Sequence, residues 1–295
     1  MLIPVTISIR NLFDKSSLEV PSSSDMKASS WRRMAMAAWS RPDDPTIHGM
    51  IEVEVSRSLA YLESEREKSG VHVTVTHLVA RAVAYALSKV PDANVQIRWG
   101  RVVPRSSINI FLQVVSEDGR DLSGTLVKEA DKKTVREIGQ ELLVKSQEIR
   151  EKKTKEFKGA LQLAKWLPRS VLRILLRVTD WVGHDLRWDL SWLGLPPDPF
   201  GSGMVSSIGM MGTNIGLAPI FPLSRAPVLV VVGAIRDRPW AEDGSVVVRP
   251  IMPITATFDH RLVDGYQTAA LGRAFQEYLE DPVKAEEGFG AGSGT

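Results

Sequence analysis

A chain of 295 residues with 43% apolar and 24% charged residues has the balance of a soluble globular protein, which excludes a disordered or fibrous chain and suits one large mixed domain. Its 37 Lys and Arg against 35 Asp and Glu leave a net charge of +2, too small for a nucleic-acid surface, and no zinc-finger, RNA-recognition or basic-zipper pattern is present. The absence of cysteine excludes disulfides, thiolate metal sites and a cysteine nucleophile, and it fits a reducing compartment, the cytoplasm by default.

The segment Met1–Arg10 lacks the basic lead and apolar core of a secretory signal, so no export is expected. The longest apolar run, Ala226 to Ile235, is about half the roughly 20 residues that a spanning helix needs. Residues 1–29, with the polar run Ser22-Ser23-Ser24, read as an amino-terminal arm. From Met50 to Val55 polar and apolar residues alternate as in a half-buried strand, after which Ser56 can cap a helix that Gly70 ends. His72 to Thr76 reads as a short strand, and Thr76 as the cap of a helix with Val79, Ala82, Val83, Ala86, Leu87 and Val90 at helical spacing up to Pro91. Strands are predicted around Val95–Trp99 and Ser107–Val115, followed by a polar helix from Thr134 to about Arg150. Beyond Ser202 strands are predicted over Met204–Ile208, Val228–Ile235, Ser245–Arg249 and Ile251–Phe258, with Asp243-Gly244 as a hairpin turn. The last helix has Asp264 as cap and Leu271, Ala274, Phe275, Tyr278 and Leu279 as its buried stripe until Pro282. The glycine-rich end makes 284–295 a flexible tail.

Of five histidines, only His260 sits where strand, tight turn and helix start fall within seven residues. A confined imidazole at a strand end is the usual group for taking a proton from a thiol or hydroxyl. On spacing alone a structural reading stands beside this one, with Asp264 a helix cap, Gly265 a turn residue and His260 a satisfied core group, and the local pattern leaves both open.

The stretch Pro253 to Pro282, with Asp259-His260-Arg261-Leu262-Val263-Asp264-Gly265 at its centre, resembles the active-site signature of dihydrolipoyl acyltransferase catalytic domains, the cores of 2-oxoacid dehydrogenase complexes. The likeness extends to Ala226–Ile235, to Met204-Val205-Ser206-Ser207-Ile208-Gly209 and to Val90-Pro91-Asp92-Ala93-Asn94, over roughly residues 30–155 and 202–283. It implies an α/β, two-layer, chloramphenicol-acetyltransferase-like fold with helices on a mixed sheet, in a catalytic domain of residues 30–283. It further implies coenzyme A as co-substrate, a lipoyl group supplied in trans and no metal. By the resemblance, His260 is the general base, Ser206 (or, one residue along, Ser207) the oxyanion donor, and Asp264 the residue that holds the loop. Arg32, with Arg33 in reserve, is the cation that Asp264 would pair. The family is trimeric, with histidine and serine meeting from different subunits, so a homotrimer is expected, partnered by a separate lipoyl-domain protein or other complex components.

Three departures stand out. A chain of this length has no room for the lipoyl and subunit-binding domains of the family, so the acceptor group is expected to come from another protein or to differ from lipoamide. The carboxyl-terminal stretch from Glu280 is acidic and then glycine-rich, so the large shells that the family builds through an apolar end are not expected. Residues 157–203 form an insertion in which Lys165, Arg169, Arg173 and Arg177 recur every four residues opposite Leu167, Val171, Ile174, Leu175, Val178 and Val182. This basic amphipathic helix, read over 165–182 and followed by Trp188 and Trp192, can pack on its own domain, roof a substrate channel, cover a partner or lie on an anionic membrane. The alternatives to an enzyme are a non-catalytic trimeric scaffold and a membrane-surface or partner-binding protein organised by that helix.

Overall fold

The computed structural model describes residues 44–115, 122–152, 169–188 and 198–290. The chain divides between Asp44 and Pro45, and the architecture is that of the second unit, Pro45–Thr295. The arm over 1–29, Arg32 and Arg33, Lys165 to Pro168 and Trp192 lie outside the described residues.

In chain order the elements are β1 (Thr46–Glu54), α1 (Ser56–Ser69), α2 (Val75–Lys89), β2 (Val95–Arg98), β3 (Arg101–Pro104), β4 (Ile110–Val115), β5 (Leu122–Val127) and α3 (Val135–Lys152). There follow α4 (Arg169–Asp180), β6 (Gly203–Ser207), β7 (Val228–Val232), β8 (Arg236–Glu242), β9 (Ser245–Asp259), α5 (Gly265–Glu280) and α6 (Pro282–Gly290). The main sheet has the order β1-β9-β7-β6-β4-β5, with β8 paired to the first half of β9. Strands β4, β6 and β7 are parallel neighbours and the remaining pairs are antiparallel, while β2 and β3 form a separate hairpin. This is the expected mixed sheet with helices.

Several boundaries move for identifiable reasons. Val55, not Ser56, is the N-cap of α1, and the Glu54 carboxylate instead accepts from the Ser56 amide and hydroxyl. Residues 72–74 are not a strand, and α2 starts before Thr76 because Thr74 closes a capping box with His77, whose Nδ1 accepts from the Thr74 amide at 3.2 Å. Burial, with a smaller contribution from His72, lowers the His77 pKa to about 4, so the ring stays neutral and able to accept. The two strands read on either side of Pro250 are one continuous strand, β9.

The helical face of the sheet carries the main core. Every residue of α2 from Leu78 to Leu87 is buried, against Val205, Val228, Val230, Val232, Ile254 and Phe258 from the strands and the predicted stripe Leu271, Ala274, Phe275, Tyr278 and Leu279 of α5. Strand alternation sends Met204, Leu229 and Val231 to the opposite face, where they meet Phe111, Phe200 and Ile208. That face is covered by the loop before β7, to which Thr255 and Thr257 donate through their hydroxyls at the Gly216 and Ala218 carbonyls.

Two outcomes differ from the sequence reading at the margins of this body. The carboxyl-terminal segment read as flexible from 284 is helical to Gly290, because Glu286 reaches into the core. Its carboxylate pairs with the Arg81 guanidinium at 2.9 Å and accepts from the Tyr278 hydroxyl at 2.6 Å, with the Arg81 side chain 2% exposed. In α4, Val171, Ile174, Leu175 and Val178 are exposed, so the helix does not lay its apolar face on its own domain. No described helix is long and apolar enough to cross a membrane.

Removing one partner of a buried ion pair leaves the other charge desolvated and uncompensated. Glu286→Ala is therefore expected to lower the unfolding free energy by about 2–3 kcal/mol, somewhat below the fully buried case because Glu286 is a quarter exposed. Chemical denaturation of the two proteins measures this, and Glu286→Gln should lose less because it keeps an acceptor for Tyr278.

Candidate active site

The candidate base stands at the end of β9. His260 leaves the sheet with its amide donating to the Pro45 carbonyl at 2.8 Å, and the Leu262 and Val263 amides return to the Asp259 carbonyl at 2.9 and 3.1 Å, closing a tight turn. His260 Nδ1 lies 2.9 Å from the Val263 carbonyl oxygen. A carbonyl has no proton to give, so Nδ1 must carry the hydrogen and donate it, which leaves the lone pair of the neutral ring on Nε2. The ring is solvent-accessible. Behind it, buried Asp259 holds Arg261 through two contacts of 2.9 and 2.6 Å, fixing the turn from inside.

Asp264 follows the structural reading as far as the described residues go. It is the N-cap of α5, accepting from the Tyr266 amide at 2.8 Å and the Gln267 amide at 3.4 Å, while Gln267 accepts from the Asp264 amide. The cap ties the His260 turn to the start of α5. Whether a cation such as Arg32 also reaches it falls outside the described residues.

Ser206 and Ser207 end β6, both half-buried. Alternation places Ser207 with Val205 on the helical face and Ser206 with Met204 on the other, beside Val231 in the register. The backbone beyond is crowded: a Cβ on Gly209 would stand 2.6 Å from the Gly233 carbonyl oxygen, and one on Gly233 only 1.9 Å from that of Asn214. Among the described residues, none hydrogen-bonds the Ser206 hydroxyl. Val231 in turn faces Thr255, five residues before His260. Five residues of strand span about 17 Å and two strand spacings about 10 Å, so one chain does not bring serine and histidine together.

A model of the family described as 2-oxoacid dehydrogenases acyltransferase (catalytic domain) matches residues 17–161 and 201–286. The chain is similar to the dihydrolipoyllysine-residue acetyltransferase component of the pyruvate dehydrogenase complex of Zymomonas mobilis subsp. mobilis, 25% identical over 248 residues. The match takes in 83% of this chain and 46% of that one, so the chain spans less than half the length of this curated relative. Among solved structures it resembles the cubic core of the pyruvate dehydrogenase multienzyme complex, with a TM-score of 0.61 and 17% identity over 82% of this chain and 84% of that one. It also resembles the dihydrolipoamide acetyltransferase of Azotobacter vinelandii, in which the roles of a serine, a histidine and an asparagine in the catalytic mechanism were investigated. There the TM-score is 0.59 and the identity 19%, over 82% of this chain and 84% of that one. These likenesses establish the fold.

The residues that the family model passes over are fastened to the body by charge, which the sequence reading missed. Arg225 reaches Asp180 at 2.7 Å and Asp185 at 2.8 Å, Arg105 pairs with Asp198, and the Trp99 amide donates to Asp185 at 2.6 Å. Between them His184 holds Asp180 at 3.0 Å through Nδ1, with Asp198 3.7 Å from Nε2. Asp198 and Arg225 both adopt left-handed backbone, at φ +52° and +49°, a strain that the ion pairs offset. A third guanidinium, that of Arg98, donates to the Asp185 carbonyl at 2.9 and 3.1 Å. The cluster also borders a cavity of about 270 Å³ whose other lining includes Trp99 and, from the His260 turn, Asp259, Arg261 and Leu262. Residues of the insertion and of the His260 turn thus line one cavity.

Burial opposes the charge on His184, but the Asp180 carboxylate accepting from Nδ1 and the nearby negative charge of Asp198 outweigh it and raise the pKa above the ordinary 6.5. The stabilisation from protonated His184 is therefore complete below about pH 6.5 and is lost as pH rises through the raised value. Asp180, Asp185 and Asp198 are all lowered, so their share persists above the ordinary carboxylate range and is lost only in acid. Thermal unfolding of the protein and of His184→Gln across this range is expected to show the largest gap on the acid side of neutrality and a narrowing one in alkali.

Proposed function

Because the chain belongs to the 2-oxoacid dehydrogenase acyltransferase family through its catalytic domain, we propose that it moves an acyl group between coenzyme A and a dihydrolipoyl thiol carried in trans by another protein. The observation that carries this reading is the orientation of His260: Nδ1–H is committed to the Val263 carbonyl, and Nε2 is left as a base on an accessible ring. Nε2 takes the proton of the attacking thiol, and the thiolate sulfur forms a bond to the thioester carbonyl carbon. The carbonyl oxygen gains the negative charge and accepts a hydrogen bond from the Ser206 hydroxyl. Collapse of this intermediate breaks the bond to the other sulfur, which leaves as a thiolate and recovers the proton from His260. Asp264 acts by holding the turn, and Arg32 is proposed as its cation.

The register supports a site shared between subunits, with His260 of one chain facing Ser206 of the next, in a homotrimer. The lack of cysteine supports a reducing compartment such as the cytoplasm, where a lipoyl-domain protein of a 2-oxoacid dehydrogenase complex would be the partner.

In an assay of thiol release from acetyl-coenzyme A with dihydrolipoamide, His260→Ala is expected to lower kcat/KM by about 10²–10⁴-fold. Ser206→Ala should lower it by about 10²–10³-fold. Oligomers assembled from a mixture of the two variants should recover activity above either alone, since some boundaries then hold both intact residues. An unchanged rate in His260→Ala defeats the assignment of the base, and no recovery in the mixture defeats the shared site.

A further inference from the structure

The β2–β3 hairpin turns on Trp99 and Gly100, both with left-handed backbone at φ +51° and +69°. A two-residue turn of this kind ordinarily takes Asn, Asp or Gly at its first position, because a bulky side chain is strained there. The turn itself therefore does not account for Trp99. Its amide donates to the Asp185 carboxylate at 2.6 Å, its indole Nε1–H donates to the Asp185 carbonyl at 3.0 Å, and the Trp181 ring meets it edge-on with centroids 5.9 Å apart. Even so, Trp99 is 59% exposed. Trp181 and Asp185 belong to the segment that the family model passes over, so the insertion of this chain holds an open indole in one orientation, against the strain of its backbone.

Trp99 lines the cavity of about 270 Å³ beside the His260 turn, and the rest of the lining says what fits there. Ile97, Pro222 and Leu262 supply apolar wall. The charged groups of the lining are already paired with one another, Arg225 with Asp180 and Asp185, and Arg261 with Asp259 at 2.6 Å. No lining charge is left to call for an ionic partner, so the guest is a neutral group. A fixed, exposed indole gains most from a flat ring that stacks on it. The volume lies below the roughly 300–1,000 Å³ of pockets that bury a whole drug-sized ligand, which leaves room for one ring system and not for a complete co-substrate.

Of the two partners in the proposed reaction, the dihydrolipoyl arm has no aromatic ring, and coenzyme A has one, the adenine at the opposite end of the molecule from its thiol. We propose that the cavity between the insertion and the His260 turn seats this adenine against Trp99. His260 itself does not line the cavity, as befits a site for the end remote from the reacting sulfur. The identity of the ligand rests on the acyl-transfer reading, whereas the capacity to hold a flat neutral base does not.

The test is isothermal titration calorimetry of the full-length protein with coenzyme A, with adenosine 3′,5′-bisphosphate and with pantetheine. Trp99→Ala is expected to weaken coenzyme A and the bisphosphate about tenfold and to leave pantetheine, which has no base, unchanged. Trp99→Phe keeps a flat ring without the Nε1–H donor and should recover most of the affinity, which a purely structural role of that hydrogen bond would not allow. Pro222→Trp crowds the cavity from its exposed side, leaves the hairpin untouched and should weaken the same two ligands, so it decides the matter if Trp99→Ala does not fold. In the thiol-release assay the KM for acetyl-coenzyme A should rise about tenfold in Trp99→Ala with kcat unchanged, the mark of a contact made equally in ground and transition states. The proposal is overturned if the parent does not bind the bisphosphate, if either folded variant binds coenzyme A as tightly as the parent, or if pantetheine is weakened as much as coenzyme A. If the bisphosphate binds in a manner that depends on Trp99 while the parent transfers no acyl group, the acyl-transfer reading fails and the base site stands.

Discussion

From Ile254 to Phe258, β9 is paired on both sides at once, to β1 along one edge and to β7 along the other. A strand bounded twice cannot slip without turning Ile254, Ala256 and Phe258 out of the core and driving Thr255 and Thr257 into it. The threonines add their own restraint, since each hydroxyl is bonded to the loop covering the far face. The residue after this strand therefore emerges at a fixed height and direction. The His260 turn inherits that position, and the Val263 carbonyl then decides which ring nitrogen is left without a bonded hydrogen.

Much of this was legible because it is local. Asp264, Gly265 and the stripe from Leu271 to Leu279 lie on one helix, so cap and periodicity reveal them together. The misreadings have a different origin. Pro250 looked like the end of a strand because it has no amide to donate, yet β9 runs through it. There the strand changes partners: Pro250 faces Asp237 of β8, and the pairing with β1 begins only at Ile251. Thr76 and Thr74 offer the same hydroxyl to a helix start, and the imidazole of His77, three residues after Thr74, settles which one is the cap.

What the sequence could not disclose depends on distance along the chain. Arg105, Asp180, His184, Asp185, Asp198 and Arg225 come from four separate stretches, and no period links them. The odd backbone of Asp198 and Arg225 is equally silent, because a left-handed aspartate or arginine has no compositional mark of the kind glycine leaves. Ser206 poses the related difficulty of a strand residue proposed to act with a histidine of another chain. Its position in β6 was readable, while the gap of several strand residues from His260 appears only when the register is known.

The orientation of α4 shows where periodicity stops being informative. An amphipathic pattern announces two faces and leaves open which one turns inward. Here magnitudes decide. Exposing Asp180 would strip Arg225 and His184 of a partner, a loss of about 3–5 kcal/mol for a buried pair. Turning Val171, Ile174, Leu175 and Val178 into the body would gain roughly 1.5–3 kcal/mol for each side chain fully buried. Such a gain requires an apolar surface where the helix meets the body, and what stands there is charged, with Arg105, Arg225 and their carboxylate partners. The side that carries Asp180 turns inward because the body offers it charge partners, and the amphipathic pattern of α4 follows the ion cluster.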